Sequence, residues 1–188
     1  FIHWGPYSEL ARGEWVMNRE RWSVGEYEEV ARAWKPDAYD PRQWVEMARR
    51  AGMKYLVCTT KHHDGYALWP TRFGDFSTRQ YMSGRDLLEP YVQACRRHGL
   101  KVGFYFSPRD WHYPGYPQSM VYGSKYPIPE AEENTENFKA FYAYTLGQIH
   151  ELLTRYGKID LLWFDGMGWR GIGDMQAEQT LAWVRSLQ

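Results

Sequence analysis

Short β-rich segments alternate with stretches of helical periodicity four times along the chain, and this order constrains the fold more than any other feature. Residues 1–4 read as the end of a strand. Helical patterns follow over 25–34, with Tyr27, Val30, Ala31 and Trp34 on one face, and over 42–50, with Trp44, Val45 and Ala48. Pro41 starts the second of these with Asp40 as its cap, and Gly52 stops it. A strand over 54–60 comes next, then a helix over 86–98 ended by Gly99 and a strand over 101–107. A helix over 134–156, a strand over 159–164 and a last helix near 175–186 complete the order. Strands that alternate with helices form parallel sheets through right-handed crossovers.

A doubly wound sheet and a (β/α)8 barrel both satisfy this order. No G-x-G-x-x-G or G-x-x-x-x-G-K-[ST] follows a strand, which removes the commonest reason for a doubly wound nucleotide binder. Every strand ends instead in polar or aromatic residues: His3-Trp4, His62-His63-Asp64, Tyr105 with Ser107, and Trp163 with Asp165. Four strands feeding one rim read as an α/β protein of the (β/α)8-like TIM-barrel type. A complete barrel takes about 250 residues, so the 188 residues are expected to supply about its first half. The expectation is one partial barrel domain over 1–188, truncated at both ends, since Phe1 falls in mid-strand.

The rim carries the chemistry-bearing residues. Leu161-Leu162-Trp163-Phe164 is a wholly apolar run of the kind buried on both faces of a sheet, and Asp165-Gly166 ends it. An acid at the carboxyl end of such a strand stands where barrel and open α/β enzymes place catalytic groups, so Asp165 is the first candidate. Trp163 and Asp165 are two apart and share a strand face, as do Tyr105 and Ser107. An aromatic plane beside a carboxylate suits a sugar whose ring stacks while the acid reaches its anomeric carbon. Capping of the next loop by Asp165 is the plainer alternative, and the convergence of four strand ends outweighs it.

His62 and His63 invite a metal reading, but ligand pairs on strands usually stand two apart, and consecutive residues point to opposite faces. The pair is read instead as donating ring N–H groups to polyol hydroxyls, oriented by Lys61 and Asp64, with satisfaction by backbone as the structural alternative. Glu14-Trp15 and Asp110-Trp111 repeat the acid-plus-indole pairing in loops. Asp160, at the opposite end of its strand, belongs to the stability face.

Composition narrows the partners. The 23 basic and 23 acidic residues cancel, leaving no basic footprint for nucleic acid and no polybasic membrane segment. No apolar stretch approaches the roughly 20 residues of a membrane span. The 10 Trp, 15 Tyr and 8 Phe exceed ordinary core needs and favour amphipathic ligands such as sugars. Cys58, in a strand, and Cys95, in a helix, are expected to be small buried hydrophobes rather than a disulfide. Compartment and oligomeric state leave no mark in the sequence.

Taken together, Phe-Ile-His-Trp-Gly-x-Tyr-Ser at 1–8, Glu14-Trp15, Thr-Thr-Lys-His-His-Asp-Gly at 59–65 with Leu68-Trp69, and Gly-Arg-Asp-Leu at 84–87 fall in a telling order. Gly-Phe-Tyr-Phe-Ser at 103–107 and Leu-Trp-Phe-Asp-Gly at 162–166 complete it, and the whole closely resembles the α-L-fucosidases of glycoside hydrolase family twenty-nine. The resemblance implies a (β/α)8-like catalytic domain and removal of terminal α-L-fucose from fucosylated glycans with retention of configuration. It makes Asp165 the nucleophile and places His3, Glu14, Trp15, His62, His63, Tyr105 and Trp163 around the fucose, with no metal and no cofactor. Family members are often exported, periplasmic or lysosomal. Their general acid/base is a carboxylate well downstream of the nucleophile, so it is expected beyond residue 188, and the isolated piece is expected to fold poorly and lack full activity. The loop over 108–129 is expected to shape the leaving-group side and linkage choice. Two alternatives remain: a non-catalytic fucose-binding protein with the same pocket, and, further behind, a metal-dependent hydrolase using His62 and His63.

Overall fold

The computed structural model describes residues 1–114, 136–165 and 177–188. Ahead of the sheet lie α1 (Tyr7–Leu10), α2 (Val16–Arg19), α3 (Val24–Ala33) and α4 (Pro41–Arg50). Strand β1 (Tyr55–Lys61) is followed by α5 (Thr78–Tyr81) and α6 (Leu88–Arg97), and β2 (Lys101–Phe106) by α7 (Glu136–Arg155). Strand β3 (Leu161–Phe164) and α8 (Ala177–Ser186) complete the order. The three strands form one parallel sheet in the order β1-β2-β3, as their helical crossovers require.

Local chemistry explains the element boundaries. Ser23 and Glu26 close a capping box on α3, and the Asp40 side chain accepts the Arg42 N–H ahead of Pro41 to start α4. Asp86 Oδ1 accepts the N–H groups of Leu88 and Glu89 at 2.9 and 3.0 Å, so α6 begins after Asp86 rather than on it. Gly52 and Gly99 adopt φ of +79° and +69° just beyond α4 and α6, where a β-carbon would be strained. The four-residue helices α1, α2 and α5 fall where a loop is read from sequence, because one turn is too short to show periodicity. At the N-terminus the expected strand is a single parallel bridge: Ile2 N–H donates to Val57 O at 2.8 Å and Thr59 N–H to Ile2 O at 3.1 Å. Gly5 and Pro6 then turn the chain into α1. Of the loop over 108–129, residues 115–129 lie outside the described residues.

The sheet is packed closely against its helices. From Leu56 to Lys61 and from Val102 to Phe106 every side chain is buried, and Cys58 and Cys95 sit in this core as free thiols. Tyr91 of α6 donates its hydroxyl toward two strand carbonyls, Leu56 O at 2.8 Å and Gly103 O at 3.1 Å, which stitches the helix to both β1 and β2. Gly103 makes the close approach possible, since a β-carbon there would lie 2.6 Å from Leu56 O and 2.7 Å from Val57 Cγ2. Gly103→Ala is therefore expected to force β1 and β2 apart and to destabilise the intact protein by about 1–3 kcal/mol, as overpacked cores do. Denaturant unfolding that shows no loss would contradict the tight contact.

Candidate active site

The carboxyl ends of the three strands converge on one cluster of rings and a carboxylate. β1 ends at Lys61, where the pairing register slips by one residue, and the chain turns through His62-His63-Asp64 with Gly65 N–H donating back to His62 O at 3.0 Å. The strand periodicity that would send the two histidines to opposite faces therefore no longer applies. Their rings lie 4.2 Å apart, and the His62 ring stacks parallel to Tyr105 of β2 at 5.3 Å. His3 stands edge-on to both, 5.3 Å from His62 and 4.8 Å from Tyr105. Asp165 closes the group from β3. Its N–H donates to Phe106 O at 3.1 Å, and its Oδ2 accepts the Tyr105 hydroxyl at 2.5 Å with His63 Nε2 3.5 Å away.

The remaining sequence candidates frame this cluster. Trp15 meets the His63 ring edge-on at 5.0 Å and Trp111 at 5.1 Å, which makes a wall of two indoles behind His63. Trp163 is half exposed on the outer strand and packs edge-on against Phe1 at 5.1 Å. Glu14 comes near enough for its negative charge to favour protonation of His3, although burial wins and lowers the His3 pKa. Desolvation likewise pushes His63 down to about 3, helped by the charges of Arg109 and Lys61, and His62 to about 2, where two neighbouring histidines disfavour a further proton, so both imidazoles are neutral above those values. Burial, then the bond to Asp165, raises the Tyr105 hydroxyl well above its usual range, which keeps it a donor.

Lys61 and Asp64 do not orient the histidines through their own side chains, as the sequence reading has it. Lys61 is fully buried and donates to Asp110 Oδ2 at 3.0 Å. Asp110 Oδ2 also accepts the Tyr144 hydroxyl at 2.8 Å, and its Oδ1 accepts the N–H groups of His112 and Tyr113 at 3.1 and 2.9 Å. The Lys61 ammonium lies between the Phe106 and Tyr144 rings, 4.8 and 4.9 Å from their centres. Trp111 N–H donates to His63 O at 2.8 Å, so the loop that Asp110 organises grips the histidine turn directly. Asp64 instead accepts the Tyr27 hydroxyl at 2.7 Å, and burial raises it to about 7. No motif ties Tyr27 or Tyr144 to the site in the sequence, since each partner is more than 30 residues away.

His62, His63 and Asp165 each offer a ligand atom within 4.8 Å of the others, so the spacing objection to a shared metal fails. His63 Nε2 and Asp165 Oδ2, 3.5 Å apart, are close to the roughly 3.4 Å that separates the ligands of a tetrahedral zinc, so the three residues are within reach of one metal ion. Neutral donors and acceptors around one carboxylate match the several hydroxyls of a polyol.

The constellation stands on the strand ends of an α/β fold. Residues 1–187 match the sequence profile of the alpha-L-fucosidases, and the chain belongs to that family, glycoside hydrolase family twenty-nine. Alpha-L-fucosidase 1 of Arabidopsis thaliana is 30% identical over 179 residues, covering 94% of this chain and 30% of that protein. Among solved structures, alpha-L-fucosidase isoenzyme 1 from Paenibacillus thiaminolyticus superposes with a TM-score of 0.82 at 40% identity, over 100% of this chain and 45% of that one. A Bacteroides thetaiotaomicron alpha-L-fucosidase, caught as a trapped covalent intermediate with 2-fluoro-fucosyl fluoride in a Glu-to-Gln mutant, gives 0.82 at 32% identity over 98% of this chain and 44% of that one. The chain thus spans about a third of the Arabidopsis relative and under half of these two structures.

Two outcomes are expected from this arrangement. Lys61→Met leaves Asp110 buried without its cation and should cost about 3–5 kcal/mol in denaturant unfolding. Lys61→Met with Asp110→Leu should recover part of that loss. Between pH 6.5 and about 3 the unfolded chain takes up protons that folded His62 and His63 refuse, so their contribution makes stability fall as pH drops through that window. Each histidine supplies about 1.4 kcal/mol per pH unit, and His62→Gln should show a smaller loss of unfolding temperature between pH 7 and pH 4.5.

Proposed function

We propose that the full protein is a retaining exo-α-L-fucosidase and that residues 1–188 form part of its (β/α)8-type catalytic domain. The observation that carries this reading is Asp165 at a strand end, its Oδ2 taking the Tyr105 hydroxyl inside a wall of three histidines and two indoles. The covalent intermediate of the Bacteroides relative supports a glycosyl-enzyme route.

On this reading Asp165 attacks the anomeric carbon of fucose as the bond to the leaving oxygen breaks, giving a glycosyl-aspartate ester. A second carboxyl group protonates the leaving oxygen. The same group then takes a proton from the water that hydrolyses the ester, and the two inversions give net retention. The Tyr105 hydroxyl steadies the Asp165 oxygen before attack and again as the ester leaves. His3, His62, His63 and Glu14 bond the ring hydroxyls, and Trp15 and Trp163 contact the ring and its methyl group. Neutral histidines suit this chemistry, because an imidazolium would oppose the positive charge of an oxocarbenium-like transition state.

Asp165→Asn in the intact protein should lower hydrolysis of an aryl α-L-fucoside by more than about a thousandfold while the unfolding temperature stays near that of the parent. Turnover within a few-fold of the parent would reject Asp165 as nucleophile.

A further inference from the structure

Two buried hydroxyls at the strand ends face the pocket histidines and have no part in the reaction above. Ser107 Oγ lies 2.6 Å from His63 Nδ1 and 2.9 Å from the carbonyl oxygen of Arg109. Thr59 repeats the arrangement one strand away, with Oγ1 3.2 Å from His3 Nδ1 and 3.0 Å from the carbonyl oxygen of Ile2. A hydroxyl has one proton to donate and lone pairs to accept with. A carbonyl oxygen only accepts, so each hydroxyl proton is directed to its carbonyl and a lone pair is left facing the imidazole. That lone pair calls for an N–H, which places the ring proton on Nδ1. At neutral pH each imidazole is uncharged, burial having lowered both from the ordinary value, so its Nε2 then carries none.

We infer that Ser107 and Thr59 are positioning residues that fix His63 and His3 as their Nδ1–H tautomers, so that both Nε2 atoms meet the sugar as hydrogen-bond acceptors. The inference deepens the fucosidase reading and rests on it for the identity of the sugar. His63 Nε2 supports it by its distance from Asp165 Oδ2, 3.5 Å, which exceeds the roughly 2.7–3.2 Å of an N–H···O bond. That oxygen already takes the Tyr105 hydroxyl. Acceptors at these two places select for the protons of substrate hydroxyls. A deoxy, fluoro or O-alkyl group in the same position has no proton to offer.

Ring ¹⁵N resonances of the intact, histidine-labelled protein at neutral pH test the tautomers directly. The expected pattern is pyrrole-type Nδ1 and pyridine-type Nε2 for both rings, with the pattern shifting toward Nε2–H for His63 in Ser107→Ala and for His3 in Thr59→Val. The opposite tautomer in the parent, or tautomers that do not respond to loss of the hydroxyls, overturns the inference. Ser107→Ala should lower kcat/KM for an α-L-fucoside about tenfold, the size of one hydrogen bond, with Ser107→Thr restoring most of it. The effect should shrink to about twofold on the monodeoxy fucoside that lacks the partner hydroxyl. An equal loss on every monodeoxy fucoside overturns the acceptor role. Correct tautomers in a protein that hydrolyses no fucoside would reject the substrate reading and still support the assignment of Ser107 and Thr59.

Discussion

The site depends on one buried ion pair. Lys61 and Asp110 are withdrawn from water almost completely, and an isolated charge at either position would be very costly. The pair survives burial because its geometry is complete: the Asp110 carboxylate takes four donors, two of them backbone N–H groups of its own loop. It couples three parts of the chain: the end of β1, the loop after β2, and α7 through Tyr144. Gly65, at φ +86°, leaves the space that Asp110 occupies, and a β-carbon there would overlap its Oδ1. The histidine turn is consequently held from below by the Asp110 loop.

The electrostatics of the wall follow from the same burial. Desolvation outweighs the nearby carboxylates at His3 and His62, and at His63 it acts together with the charge of Arg109 and Lys61, so three imidazoles sit beside Asp165 without becoming imidazolium at neutral pH. Fixed charge is therefore left to carboxylates, while the histidines contribute directed dipoles. In the proposed chemistry that division favours the positively charged transition state and still provides enough bonding partners for a sugar bearing several hydroxyls.

Much of this was legible from local pattern. The capping residue Asp40, the terminating Gly52 and Gly99, and the apolar runs of β1, β2 and β3 all act over a few residues, and the elements lie where those signals put them. Asp165 stood out because an acid ends a wholly apolar run there; the burial on both faces that such a run suggests is not what β3 shows, since it is the outer strand, its side chains are only partly buried and Trp163 is half exposed. The short helices α1, α2 and α5 escaped because a single turn carries no period. The closeness of the His62 and His63 rings is not legible either, since strand alternation stops with β1 at Lys61.

By itself the sequence determined the class of fold, the strand ends that form the rim and the family of the chain, because these depend on periodicity, capping and short motifs that act locally. Only the tertiary structure decided how the rim works: that Lys61 serves Asp110 instead of the histidines, that Tyr27 holds Asp64, and that Ser107 and Thr59 stand behind His63 and His3. Those pairings join residues 37 to 56 positions apart. They come about through parallel crossovers that bring distant strand ends together, and through burial that makes every polar atom there find a partner.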